Sequence, residues 1–261
     1  MKRKLTIKII TLFPEFIKAF VENFGIIRKA VKNKLLHIQA VNLRDFGIDK
    51  RQTVDDRPYG GEIGMVLRPD VLYKAIQFAS RSKIKDKRSK IILLTPQGKQ
   101  LNQKTAQRLA KYDQLVLICG RYEGFDERIR RFVDEEISIG DYVLMGGELP
   151  ALVIAESVMR LRAGILGKDE SSLNESFSTI PLNDDRRQMG YAEILEYPQY
   201  TKPEIWPAFV KTSAGKKVKR ILRVPKILLS GNHQKINEWR LKEAIRRTKK
   251  RRPDLFKHYK N

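Results

Sequence analysis

The first 160 residues alternate between two hydrophobic periods. Short aliphatic runs bounded by Pro, Gly, Asn or charge, "LTIKIITL" (5–12), "LLHIQAVNL" (35–43), "SKIILLTP" (89–96) and "QLVLICG" (114–120), predict buried strands. Between them, apolar residues recur every three or four positions in "PEFIKAFVENFGIIRKAVKN" (14–33), "RPDVLYKAIQFAS" (68–80) and "NQKTAQRLAKY" (102–112), which predicts helices. A short strand with glycine turns, "EEISIGDYVLMGGELP" (135–150), leads into a further helix, "ELPALVIAESVMRLRAG" (148–164). Strands and helices taken alternately predict an α/β fold with a mostly parallel sheet.

The pattern changes after Gly164. "KDESSLNESFSTIPLNDDRRQMG" (168–190) has no apolar period and reads as a linker or loop. Beyond it, "VPKILLSGNHQKINEWRLKEAIRRTKKRRPDLF" reads as a turn feeding a strongly basic helix, with Ile236, Trp239 and Ala244 as its packing positions. The expected organisation is a domain over 1–164, a flexible linker over 165–190 and a small, mainly helical, basic domain over 191–261.

Charge sharpens this division. The chain has 261 residues, 53 Lys or Arg and 30 Asp or Glu, a net +23. Residues 202–261 hold 19 of the cations and 4 of the acids, which is +15 of that total. Such a region favours a polyanion, most simply nucleic acid, whose phosphates release counterions on binding. One cysteine, Cys119, excludes an internal disulfide and a clustered zinc site, and reads as a buried, inert thiol. No run approaches the ~18 apolar residues of a membrane span. Pro14 and Glu15 interrupt the apolar run that follows the basic start. These features predict a cytoplasmic protein.

Three strands end in glycine-bearing loops: "LLTPQGKQ", "LICGRYEG" and "SIGDYVLMGG". Loops at the carboxyl ends of parallel strands gather where ligands bind, and glycine lets a ligand lie directly on the backbone. Neither a G-x-G-x-x-G fingerprint nor a phosphate-binding Walker loop is present. His37, His233 and His258 fall in no nucleophile motif, and Ser230 and Asn232 of "SGNH" read as turn or cap residues. The charges Asp126, Glu127 and Arg128 leave two readings open, contacts to a ligand or a helix cap with local salt bridges.

Five collinear segments resemble the bacterial tRNA (guanine-N1)-methyltransferases: "TVDDRPYGGEIGMVL" (53–67), "LTPQGKQ" (94–100), "LICGRYEGFDERI" (117–129), "DEEISIGDYVLMGGELPALV" (134–153) and "LLSGNHQKINEWR" (228–240). The resemblance implies a SPOUT-class α/β domain tied in a deep trefoil knot. It implies S-adenosylmethionine held by Pro96, Gly98, Gly120, Ser138, Ile139, Gly140, Asp141, Tyr142, Val143, Leu144, Gly146 and Gly147. It further implies a homodimer with a shared active site, and methylation of N1 of the guanosine immediately 3′ of the tRNA anticodon. Substrate contacts are expected from Glu123, Asp55 and Arg121, and Mg²⁺ is expected to assist. Two other readings stay open: a knotted methyltransferase of another RNA, and an RNA-binding protein that does not turn over.

Guanine N1 is protonated at neutral pH, so methylation there calls for a base at N1 and a cation at O6. By resemblance Arg160 is the cation. The base position reads "NESF", so Glu175 stands where the family has aspartate, with Asp169 and Asp184 as alternatives. This chain also departs from the family at Glu62, in place of glycine, and at Met145, in place of a small or hydroxyl residue. Its segments 178–192 and 204–224 are longer than the family's.

Overall fold

A computed structural model describes residues 3–80, 88–166, 175–183, 189–211, 215 and 217–257. The chain divides into two compact units, Met1–Asp169 and Glu170–Asn261.

In the first unit, β1 (Leu5–Thr11), α1 (Pro14–Asn23), α2 (Gly25–Lys32) and β2 (Leu36–Asn42) follow one another. A small ladder pairs β3 (Asp55–Asp56) with β4 (Val66–Leu67), and then come α3 (Pro69–Ser80) and β5 (Ser89–Gln100). The unit continues with α4 (Gln103–Leu109), β6 (Gln114–Ile118), β7 (Glu135–Ser138) and α5 (Glu148–Met159). The main sheet has the order β2-β1-β6-β5-β7, with every pairing parallel.

Side chains on successive strand residues point to opposite faces, and in a parallel sheet both faces are covered. The strands obey this residue by residue. Leu5, Ile7, Ile9, Leu115, Leu117, Ile92 and Leu94 pack with α1, α2 and α5. Their neighbours Ile10, Val116, Ile118 and Leu93 pack with Val71, Leu72, Ala75, Ile76 and Ala79 of α3. Strand β6, between β1 and β5, is buried along its whole length.

Two local departures have identifiable causes. The helical pattern over 14–33 is broken, because Phe24 takes an extended conformation (φ −90°, ψ 109°) and ends α1 while starting α2 at Gly25. Strand β5 runs past the expected Pro96, because its ladder with β7 shifts register between Leu94 and Lys99 and resumes at Lys99 opposite Ile137. Residues 95–98 therefore bulge out of the ladder.

The second unit corrects the expected organisation. Residues 178–183 of the expected linker form β8 (Ser178–Asn183), antiparallel to β9 (Met189–Ile194). A second hairpin joins β10 (Ile205–Lys211) to β11 (Lys217–Arg223), ahead of α6 (His233–Arg251) and α7 (Asp254–Lys257). Among the described residues the unit holds as much strand as helix, so it is not mainly helical. Sequence pattern missed β8 and β9 because their polar residues give no one-sided alternation. Asn232 caps α6 by accepting from the Lys235 N–H at 3.1 Å, and Ile236 and Ala244 are buried. Thr248 ties α6 to the chain just after β9 by accepting from the Leu195 N–H at 2.8 Å.

Cys119 is buried at the end of β6. Burial, reinforced by the charge of Glu148 and opposed by Arg121, pushes its thiol well above the ordinary range. The stability linked to this proton is complete below the unfolded thiol value of about 8.5 and declines as pH rises toward the folded value. Iodoacetamide at pH 8.5 should therefore label Cys119 only in the urea-unfolded chain; mass spectrometry showing rapid labelling of the folded protein would contradict the burial.

Candidate cofactor and substrate site

The three glycine-bearing loops meet at a cavity of about 380 Å³ at the carboxyl end of the sheet. Its walls include Pro96, Gly120, Ser138, Ile139, Gly140, Tyr142, Val143, Leu144, Gly146 and Gly147. Two expected cofactor residues stand outside this wall. Asp141 is exposed beside it, and Gly98 packs behind it. A Cβ on Gly98 would lie 2.5 Å from the Ile137 nitrogen, so only glycine lets the 95–98 bulge close against β7. At Gly147 a Cβ would lie 2.6 Å from Cα of Cys119, while the Gly147 N–H donates to the Gly120 carbonyl at 2.9 Å. The site is thus shaped by backbone lying against backbone.

Side chains then lock the loops. The Ser138 hydroxyl donates to the Gly140 carbonyl (2.9 Å) and accepts from its N–H (3.1 Å), fixing the turn after β7. Glu148, at the start of α5 and 3 % exposed, accepts from the Thr11 hydroxyl at 2.7 Å and pairs with Arg121 Nη2 at 2.9 Å. Arg121 also donates to the Met145 carbonyl at 3.1 Å, and its guanidinium lies 4.3 Å from the Phe13 ring centroid. This cluster joins the end of β1, the loop after β6 and the loop before α5. Arg121, expected to contact substrate, lines the cavity and at the same time pairs with the buried Glu148. On the opposite wall, Arg130 donates to Gln97 Oε1 at 2.6 Å and pairs with Glu127 and Glu136.

Glu123 is exposed at the mouth of the cavity. Its N–H donates to the Met65 carbonyl at 3.0 Å, and the Leu67 N–H donates to the Gly124 carbonyl at 3.0 Å, so residues 64–67 support this loop. Neighbouring Tyr122 has φ +58°, a conformation that costs a bulky side chain energy, in a loop that lines the cavity. Asp55, half-buried in β3, is not part of the cavity wall. The Asp126 carboxylate accepts from the Arg128 N–H at 3.0 Å and pairs with its guanidinium, which holds the carboxyl below its ordinary range. The cap reading of these charges is the one realised.

Arg160 closes α5 in the first unit and is half-buried. Glu175 belongs to the second unit, where it borders a cavity of about 270 Å³ with Asn237 and Arg240. Asp169 and Asp184 lie outside the described residues. Thr11, Gln97, Arg130 and Glu148 were not anticipated. Glu148 did leave a signal, being the one acid heading the otherwise apolar stretch "LPALVIA".

This is an α/β protein with a cavity walled by glycine-rich backbone at the carboxyl end of a parallel sheet, the place where ligands bind in such folds. The family profile described as tRNA (Guanine-1)-methyltransferase TrmD matches residues 5–258. Proteins named tRNA (guanine-N(1)-)-methyltransferase are similar along nearly their full length. That of Dictyoglomus turgidum is 46 % identical over 252 residues, covering 97 % of this chain and 90 % of the relative. Those of Bacillus velezensis and Bacillus subtilis are each 45 % identical over 256 residues, covering 98 % of this chain and 93 % of the relative. The chain belongs to the tRNA (guanine-N1)-methyltransferase family.

Removing one partner of a buried ion pair costs about 3–5 kcal/mol, because the other charge is left uncompensated. Glu148→Gln should lower stability by a large part of that range. Arg121→Met combined with Glu148→Leu should recover most of it in urea unfolding. Additive losses in this double-mutant cycle would show that the two residues do not act as a pair.

Proposed function

We propose that this protein transfers a methyl group from S-adenosylmethionine to N1 of the guanosine immediately 3′ of the anticodon in tRNA. Methylation of tRNA guanine at N1 follows from family membership over residues 5–258. The observation that carries the cofactor assignment is the cavity of about 380 Å³ built from three glycine-bearing loops. That volume lies in the range of small-molecule sites, and aliphatic walls at Leu94, Ile137, Ile139 and Leu144 with exposed peptide groups between them suit a nucleoside. Pro96, Gly120, Ser138–Gly140 and Gly146–Gly147 would hold it, with Tyr142, Val143 and Leu144 closing the wall. When bound, S-adenosylmethionine supplies an electrophilic methyl group on a sulfonium sulfur.

The remaining chemistry falls to side chains. Glu175 takes the proton from guanine N1, and Arg160 donates to O6 as negative charge gathers there. Glu123 accepts from the donors on the guanine edge, with Asp55 supporting the loop that faces it. The reading includes a deep trefoil knot within residues 1–164; the backbone contacts at Gly98 and Gly147 are what close packing of the knotted loops requires. It also includes a cytoplasmic homodimer with shared active sites, and Mg²⁺ held by RNA and water. No helix among the described residues is long and apolar enough to cross a membrane. The basic α6 contributes to tRNA binding through its exposed cations, in particular Lys250 and Arg251; Arg246 and Arg252 are already paired with Glu243 and Asp254.

Labelled S-adenosylmethionine and unmodified tRNA should yield one methyl group, mapped by nuclease digestion and mass spectrometry to N1 of the guanosine 3′ of the anticodon. A methyl group on another nucleotide would overturn the assigned position.

Glu175→Gln should keep cofactor and tRNA binding and slow single-turnover methylation by ~10²–10⁴-fold, the usual loss on removing a general base. Glu175→Asp should retain substantial activity, and higher pH should partly restore the Gln variant, since the guanine proton then leaves unaided. A Gln variant as fast as the parent would remove Glu175 from the mechanism.

A further inference from the structure

The hairpin β10–β11 carries a surface that the methyl-transfer site does not use. Its register pairs Ile205 with Arg223, Pro207 with Ile221, Phe209 with Lys219 and Lys211 with Lys217. Because side chains alternate between faces, Ile205, Pro207, Phe209, Lys217, Lys219, Ile221 and Arg223 share one face of a two-stranded ribbon roughly 20 Å long. On it Phe209 is 72 % exposed and Ile221 59 % exposed, and Lys217, Lys219 and Arg223 are exposed as well. Between Ile205 and Arg223 the sequence has six Lys or Arg and no acid. Among the described residues, Lys217, Lys219, Arg220 and Arg223 form no ion pair, in contrast to Arg246 and Arg252 on α6.

Lysines on a ribbon also protect its edges from pairing with other strands. That role accounts for the cations and leaves Phe209 and Ile221 unexplained, since protection calls for fewer exposed apolar side chains. Cations interleaved with an exposed aromatic ring suit single-stranded or looped nucleic acid, where phosphates meet the charges and an unstacked base meets the ring. An isolated two-stranded hairpin is also only marginally stable, so a bound strand of RNA would stabilise it.

We propose that this face of the β10–β11 ribbon is an RNA-binding arm that holds unpaired nucleotides of the substrate tRNA, Phe209 stacking on a base and Lys217, Lys219 and Arg223 on the flanking phosphates. The proposal rests on the tRNA methyltransferase reading and adds to it a second area of contact, which serves affinity and leaves the chemical step alone.

The test uses the full-length protein and unmodified tRNA across a salt series. Lys217→Ala, Lys219→Ala and Arg223→Ala together should weaken binding and reduce the slope of log K against log salt by about 2, at ~0.7 per single-strand phosphate contact. Phe209→Ala should weaken binding by about 5- to 150-fold with the salt slope unchanged, because stacking releases no counterions. Both variants should keep the parent's cofactor affinity and its single-turnover rate at saturating tRNA. Their circular dichroism should match the parent's, all four positions being exposed. Parent-like tRNA affinity and slope in both variants would overturn the arm while the parent's methylation of the same tRNA left the activity standing. Substitutions that alter only self-association, read by sedimentation, would overturn the arm equally. A parent that does not methylate tRNA would instead strike the functional reading itself.

Discussion

Glu148 holds a carboxylate at a depth where a lone charge is not tolerated, and the first unit is arranged around meeting its needs. Thr11 reaches it from the end of β1 and Arg121 from the loop after β6, while Glu148 itself starts α5. In low dielectric such a cluster is stable only when complete, so its geometry is strongly specified. The Arg121 fork then reaches the Met145 carbonyl, and the Gly147 N–H reaches Gly120. Two walls of the cavity are thereby set by one buried charge.

The sheet supplies the fixed frame for this cluster. Strand β6 is buried throughout and delivers Cys119 and Gly120 to the place where the walls meet. A slip of one residue in such a strand would send every side chain to the opposite layer. Glycine at 98 and 147 completes the arrangement, because at both positions neighbouring backbone occupies the space of a side chain. A cavity with walls of this kind suits recognition of a compact cofactor through peptide groups.

The second unit follows a different principle. Its core is small, built from residues such as Ile194, Ile236, Ala244 and Leu255, with Thr248 bridging to the chain after β9. Its many cations divide into those paired locally, such as Arg246 and Arg252, and those on β11, a strand whose sequence holds no acid. Electrostatic attraction of this kind is long-ranged and insensitive to sequence, which complements a first unit whose contacts are short-ranged and specific.

Much of the first unit could be read directly from residue order. Short aliphatic runs located β1, β2, β5 and β6, whose sheet is covered on both faces, and apolar residues at helical spacing located α3 and α4. The glycine loops were visible for the same reason: glycine at a strand end implies an unusual backbone or a close neighbour. The caps at Asp126 and Asn232 are local, so they too were within reach of sequence. Hairpins β8–β9 and β10–β11 were not, because their residue order carries no one-sided hydrophobic alternation to detect. Nor could sequence distinguish Arg121, turned inward to Glu148, from Glu123, two residues on and facing the cavity mouth. Thr11 and Glu148 are 137 positions apart. Their meeting, and with it the shape of the site, was decided by the packing of the sheet, which no local pattern encodes.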